Sequence, residues 1–143
     1  MELVSLNQSN NPVAKGERVV AKADVRSDRV IFTTFTPSAD PCAYGGSSTI
    51  FSIDLASGSR LNYTFFDINK DGVINDGDIL RENGQPDIPW SGTSDASDGV
   101  IKGVTSLYKW LCFAGSSGNP RCIPVAGSQR FGRNSWHEVR SDD

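Results

Sequence analysis

Oxygen-bearing side chains recur at alternate positions in one stretch of the chain, residues 67–78. This spacing is that of an EF-hand-type calcium loop, whose ligands occupy positions 1, 3, 5, 7, 9 and 12. Gly72 stands at position 6, where such a loop turns sharply and a Cβ would be costly. The residues at the ligand positions are Asp67, Asn69, Asp71, Val73 (through its backbone carbonyl), Asn75 and Asp78. The sequence therefore predicts a Ca²⁺ site in this loop.

The flanks of the loop depart from an EF-hand. Residues 61–66, which precede it, are aromatic and β-leaning, so the loop resembles the dockerin type entered from a strand. Position 12 is Asp78, one methylene shorter than the usual Glu. Residues 76–82 are predicted to form a short helix with acids in its first turn. The alternative is an ordinary Asp/Asn/Gly turn between two strands, since those residues are common in turns.

Length and composition limit the classes to consider. With 143 residues the chain is long enough for one domain with a hydrophobic core. The formal net charge is −3 and there is no long basic run, so a nucleic-acid surface is not expected. No apolar segment approaches the length of a transmembrane helix.

The strand patterns predict an all-β fold with antiparallel, four-stranded, blade-like sheets. Residues 1–15 are predicted to be an irregular leader, and residues 16–140 a single β domain. The domain divides into a first strand group at 16–66, the calcium loop and short helix at 67–82, a polar loop at 83–99, and a second strand group at 100–140. The predicted strands are 16–22, 29–36, 49–55, 61–66, 100–104, 107–113, 121–125 and 135–139.

The three cysteines do not form a zinc motif, because no short Cys-x-x-Cys pair occurs and the chain has one histidine. Cys112 and Cys122 flank a flexible loop between strand-like segments. In an oxidising compartment a disulfide there would add about 2–3 kcal/mol of stability. The alternative is two unpaired buried thiols, and Cys42 is left over in either case.

Catalytic motifs are absent from the sequence, so we do not expect an enzyme. His137 has no nucleophile motif such as Gly-x-Ser-x-Gly to act with, which favours a structural or surface role. Asp95 and Asp98 are predicted to lie in a solvated loop, with a second, weak calcium contact as the alternative.

Several runs resemble the C-terminal region of the PilC/PilY family, the type IV pilus assembly factors and tip adhesins of Gram-negative bacteria. They are Gly16–Val20, Arg29–Cys42 with Gly45–Gly46, and Gly132–Val139. The family's C-terminal domain is a modified β-propeller, so the resemblance implies that this chain is its last portion. The family's loop supports Asp67, Asn69, Asp71 and Val73 as ligands, whereas Asn75 stands where the family often has Asp.

The resemblance also implies a role in pilus extension and retraction, surface attachment and twitching motility. Other pilus-tip components (minor pilins) and a host or abiotic surface would be the partners. The expected location is extracellular, at the pilus tip or the outer membrane.

The alternative function is a calcium-stabilised carbohydrate-binding β-module of a secreted protein. In that case exposed aromatic side chains such as Trp90, Tyr108 or Trp110 would stack on sugars. The competing interpretation of these three aromatic residues is that they pack in the core or pair across strands.

Overall fold

The computed structural model describes residues 2–6, 12–38, 40, 45–81 and 86–127. Its strands are β1 Glu2–Leu6, β2 Pro12–Val19, β3 Asp24–Arg26, β4 Arg29–Pro37, β5 Gly46–Asp54, β6 Ile79–Leu80, β7 Ile88–Pro89, β8 Gly92–Ser94, β9 Ile101–Leu107, β10 Trp110–Gly115 and β11 Pro120–Pro124. Single 3-10 turns cover Asp76–Asp78 and Ala96–Asp98. No helix in these ranges is long and apolar enough to span a membrane.

The largest sheet is organised around β4 and β5, which pair antiparallel along their full lengths. The strand order is β1-β2-β4-β5-β8, and β3 pairs with β4 next to β2. β4 forms the centre because its sequence, RVIFTTFTP, is dense in β-branched and aromatic residues. Every strand pairing is antiparallel, which confirms the predicted all-β, antiparallel class.

The predicted division into four-stranded sheets differs from what the described residues form. They make a six-stranded, a three-stranded and a two-stranded sheet. β2 and β3 pair with opposite ends of the same edge of β4, so the two together fill one position; with β4, β5 and β8 they make a set that is four positions wide, to which β1 is added. The fourth place in that set is taken by β8, from the segment predicted to be a polar loop.

Two other predictions about the first half were wrong. The predicted leader at 1–15 contains β1 and the start of β2, which pair antiparallel. The alternation of apolar and polar residues is weak in this segment, so its strands form through backbone pairing that the sequence pattern did not indicate. The predicted strand at 61–66 is irregular: its one bridge joins Phe66 to Val125, and a second bridge joins Arg60, just before it, to Ile53. Phe65 and Phe66 are both about 1% exposed. A regular strand would send adjacent side chains to opposite faces, so burying both in one core requires an irregular backbone.

The second half forms a three-stranded meander, β9-β10-β11. Its first turn lies at Tyr108–Lys109, later than predicted, and Tyr108 adopts a positive φ of 55° there. β11 agrees with the strand predicted at 121–125 to within a residue at each end. The strand predicted at 135–139 lies outside the described residues.

The hydrophobic core lies between the main sheet and the meander. Ile31 and Ile50 come from β4 and β5, and Leu111 and Phe113 come from β10. The remaining buried apolar residues are Leu61, Phe65, Phe66, Ile101 and Val125. The Ser48 hydroxyl on β5 accepts a hydrogen bond from the Ile101 amide at 2.8 Å, which fixes the two layers against each other.

A disulfide joins Cys112 and Cys122, which face each other across β10 and β11. Cys42 lies outside the described residues. Because the bond closes a short hairpin, replacing both cysteines by serine should lower the free energy of unfolding by about 2–3 kcal/mol. Denaturant titration under oxidising conditions measures this loss. Cys42→Ser is the control, since it leaves the disulfide intact, and an unchanged midpoint in the double variant would contradict the prediction.

Candidate metal centre and the adjoining cavity

Residues 67–78 are held between two anchored segments. On the entry side, the Phe65 carbonyl accepts a hydrogen bond from the Ala126 amide at 2.9 Å, and Phe66 bridges to Val125. On the exit side the chain passes through the 3-10 turn at Asp76–Asp78 into β6, where Ile79 and Leu80 pair with β7. The helix predicted at 76–82 is therefore a single turn, because β6 begins at Ile79.

The first half of the loop folds its side-chain oxygens inward onto its own backbone. The Asp71 amide donates to Asp67 Oδ1 at 3.2 Å and to Asn69 Oδ1 at 2.9 Å, so two predicted ligand oxygens converge on one donor. Asp67 Oδ2 accepts from the Gly72 amide at 2.9 Å. Gly72 has a φ of 86°, a conformation that favours glycine.

The second half continues the same pattern. Asp71 Oδ1 accepts from the Val73 amide at 2.8 Å, and Asn69 Nδ2 donates to Asp71 Oδ2 at 3.0 Å. Asn75 caps the 3-10 turn by accepting from the Gly77 amide at 2.6 Å. A carboxylate oxygen has two acceptor sites, so the oxygens that take one amide each retain a lone pair.

Asp78 is the one predicted ligand that is fully buried. Its Oδ1 accepts from the Ile68 amide at 2.7 Å and the Asn69 amide at 3.2 Å. Its Oδ2 accepts from the Asn75 amide at 3.0 Å, which completes a capping box. The carboxylate thus ties the entry of the loop to its exit.

The donor set fits a hard cation. All six predicted ligands carry oxygen, the atom that Ca²⁺ prefers, and those from Asp67 and Asn69 already converge. Asp78 has only Oδ2 to offer, because its Oδ1 already accepts from two amides. In the part of the chain that the structure describes, no three His, Cys, Asp or Glu side chains form a metal cluster on their own. A calcium loop does not need one, because amide and peptide oxygens supply half of these ligands.

A charged network joins the loop to the disulfide hairpin. Lys70 Nζ lies 3.0 Å from Asp95 Oδ2, and Arg121 Nη1 lies 3.1 Å from the same oxygen. Arg121 Nη1 also contacts Asp98 Oδ1 at 2.8 Å. Hydrogen bonds from Ser97, and then from Lys70 and Arg121, hold the pKa of Asp95 well below its usual range.

This network corrects the two interpretations of Asp95 and Asp98. Asp95 caps the second 3-10 turn, and Asp98 is only 5% exposed. Both carboxylates form ion pairs, so neither lies free in solvent. Sequence analysis missed Lys70 and Arg121. Arg121 lies 23 residues from Asp98 and 26 from Asp95, and no local pattern links positions so far apart.

A half-open cavity of about 260 Å³ lies beside the network. Asp67, Lys70 and Gly72 form one wall, and the disulfide hairpin, including Trp110, forms another. All three aromatic residues singled out in the sequence are exposed: Trp90 by 40%, Tyr108 by 73% and Trp110 by 50%. His137 lies outside the described residues.

The chain is similar in sequence to proteins of known function. It is 28% identical over 136 residues to the type IV pilus biogenesis factor PilY1 of Pseudomonas aeruginosa strain PAO1, and equally to that of strain PAK. These alignments cover 90% of this chain. The chain is homologous to PilY1. It spans only about a tenth of the length of these relatives, 11% of each.

A solved structure agrees with the homology to PilY1. The fold matches the crystal structure of the Pseudomonas aeruginosa PilY1 C-terminal domain with a TM-score of 0.61 and 20% identity. The match covers 87% of this chain and 26% of that domain. No family model matches the sequence. At this identity the match concerns the fold alone, which is the all-β fold of that PilY1 domain.

Proposed function

We propose that this chain is a calcium-binding module of a type IV pilus biogenesis factor and adhesin. The observation that carries the proposal is the homology to PilY1 over 90% of the chain, and the calcium-binding part rests on the ligand spacing at 67–78. By this proposal the module acts in pilus extension and retraction, surface attachment and twitching motility. Its partners are minor pilins at the pilus tip and a host or abiotic surface, and its location is extracellular.

The architecture proposed for the module is the last portion of a modified β-propeller. The antiparallel set in which β2 and β3 share one position beside β4, β5 and β8 is four positions wide and supports this, since a propeller blade is a four-stranded sheet. A closed propeller has four or more blades, and the match to only 26% of the PilY1 domain is consistent with a part of one. No catalytic role is proposed.

The calcium ligands proposed are Asp67, Asn69, Asp71, the Val73 carbonyl, Asn75 and Asp78. When bound, the ion supplies positive charge that offsets the loop's carboxylates. The protein's own groups do the positioning: the Asp71 and Gly72 amides orient Asp67, and the Val73 amide orients Asp71. Such pre-organisation lowers the entropic cost of ligation.

A thermal melt with calcium and with a chelator tests the ion site. A ligand at about a hundred times its dissociation constant adds roughly 2.7 kcal/mol to the free energy of unfolding. For a domain of this size that corresponds to a rise of several degrees in Tm. Asp71→Ala should abolish the calcium-dependent rise in Tm, whatever it does to the Tm in chelator.

Asp76→Ala is the matched control for that melt. Asp76 is an exposed acid in the same loop at a non-ligand position, so its removal should leave the calcium-dependent rise in place. A wild-type chain whose Tm is the same in calcium and in chelator would overturn the ion site. A rise that survives in Asp71→Ala would place the ion elsewhere.

A further inference from the structure

The cavity beside the loop combines an apolar floor with a polar rim. Ile50, Ile101 and Phe113 form the floor, each less than 10% exposed. Trp110 stands at the hairpin wall with half of its surface open to solvent. Binding pockets commonly have this composition, mostly apolar with a few convergent polar groups. A volume of about 260 Å³ is below the usual range for drug-sized ligands, so it suits a single ring-sized group.

The two cations at the rim are paired with carboxylates of the same cavity, and Asp67 adds a third carboxylate. Lys70 pairs with Asp95, and Arg121 pairs with both Asp95 and Asp98. A phosphate or carboxylate ligand would have to compete with these carboxylates for the two cations. A neutral ligand rich in hydroxyl groups avoids that competition, because a hydroxyl both donates and accepts.

Hydrogen-bonding capacity remains at the rim for such a ligand. Arg121 uses Nη1 for both of its ion pairs, and its Nε and Nη2 have no recorded partner among the described residues. A planar guanidinium with free donors can hold two neighbouring oxygens at once. A purely apolar side chain would instead leave these donors without water, which is unfavourable.

We propose that this cavity binds one pyranose ring of a neutral glycan. The apolar face of the sugar stacks on the Trp110 indole, and Arg121, which lies on the other strand of the same hairpin, donates to its hydroxyls. Trp110 suits this role because an indole offers a large flat surface at little entropic cost. The proposal goes beyond the pilus role and does not depend on calcium being bound.

The test is an NMR titration of the full chain with methyl glycosides of glucose, galactose and mannose and with N-acetylglucosamine. We expect at least one to bind with a millimolar dissociation constant and to shift the backbone amides of Ser94, Asp95 and Arg121. Trp110→Ala should weaken that binding about tenfold through lost stacking, and Trp110→Phe should restore part of it.

Trp90→Ala is the matched control. Trp90 is exposed to a similar extent but does not line the cavity, so its variant should bind like the wild type. The proposal is overturned if no sugar of the panel binds at about 20 mM, or if Trp110→Ala binds as well as the wild type. N-acetyl-phenylalanine amide binding in place of every sugar would identify a pocket for a peptide side chain and would also overturn it. Repeating the titration in chelator separates this result from the calcium melt.

Discussion

Replacing Arg29 by alanine is expected to lower the free energy of unfolding by about 3–5 kcal/mol, the usual cost of removing one partner of a buried charge network. Arg29 is the first residue of β4 and only 2% of it is exposed. Its Nη1 donates to the Ala126 carbonyl at 3.0 Å and its Nη2 to the Gly127 carbonyl at 3.2 Å. It therefore attaches the end of the described chain to the central strand.

The same guanidinium holds a second set of contacts. Its Nε donates to Asp28 at 3.0 Å, and its plane lies over Phe65 and Tyr63 with centroid distances of 4.8 and 5.4 Å. Tyr63 donates to Asp28 at 2.7 Å; burial and this hydrogen bond raise the pKa of Tyr63. Burial opposes ionisation of Asp28, but the Tyr63 hydrogen bond and the Arg29 charge outweigh it and lower its pKa. Alanine would leave these partners with unmet charge and hydrogen bonds.

Urea titration of Arg29→Ala and of Arg26→Ala compares the free energy of unfolding lost with a buried arginine to that lost with an exposed one. Arg26 also forms an ion pair at 3.0 Å, with Asp24, but its side chain is 52% exposed, so its loss should cost no more than about 1 kcal/mol. Arg29→Lys should recover only part of the loss, because an ammonium cannot reproduce the fork to two carbonyls. Equal losses in Arg26→Ala and Arg29→Ala would refute the assignment of Arg29 as a buried clamp.

The strand that begins at Arg29 was predicted from the sequence, but the long-range contacts of the Arg29 side chain were not. β4 was predictable because strand propensity is carried by adjacent residues. The hydrogen bonds from Arg29 to the carbonyls of Ala126 and Gly127 were not predictable, because these residues lie 97 and 98 positions away and neither has a distinctive side chain. The irregular Phe65–Phe66 segment was missed for the same reason, since its shape is set by the core it enters.

The loop at 67–78 represents the opposite case. The hydrogen bonds among its predicted ligands and their backbone amides run between residues no more than ten positions apart, so the spacing of Asp, Asn and Gly already contains that geometry. What the spacing did not contain is how deeply each ligand is buried. Asp71 and Asp78 both stand at predicted ligand positions, yet Asp71 is exposed and Asp78 is fully buried.

That difference predicts the other large effect. Asp78→Ala should lower the free energy of unfolding by about 3 kcal/mol even in chelator, because the amides of Ile68, Asn69 and Asn75 all lose their bonds to one fully buried carboxylate and each hydrogen bond to a charged group contributes about 1.5–3 kcal/mol. Asp71→Ala in chelator should cost only about 1 kcal/mol, since its amide partners can turn to water. Asp78→Asn should fall between the two, as its amide nitrogen would replace one of the two acceptor oxygens.

Chemical denaturation of these variants in chelator and in calcium decides what Asp78 does. If Asp78 is chiefly the buried tie between the ends of the loop and also a ligand, most of its effect is already present in chelator, and calcium widens the difference between Asp78→Ala and the wild type by the smaller amount that the lost ligand contributes. If Asp78 is chiefly a metal ligand, its variant resembles Asp71→Ala, mild in chelator and large in calcium. The hydrogen bonds favour the first outcome, because three amides at 3.2 Å or less already occupy the carboxylate from inside the loop. A loop tied in this way keeps its other oxygens close together before an ion arrives, which lowers the cost of binding one.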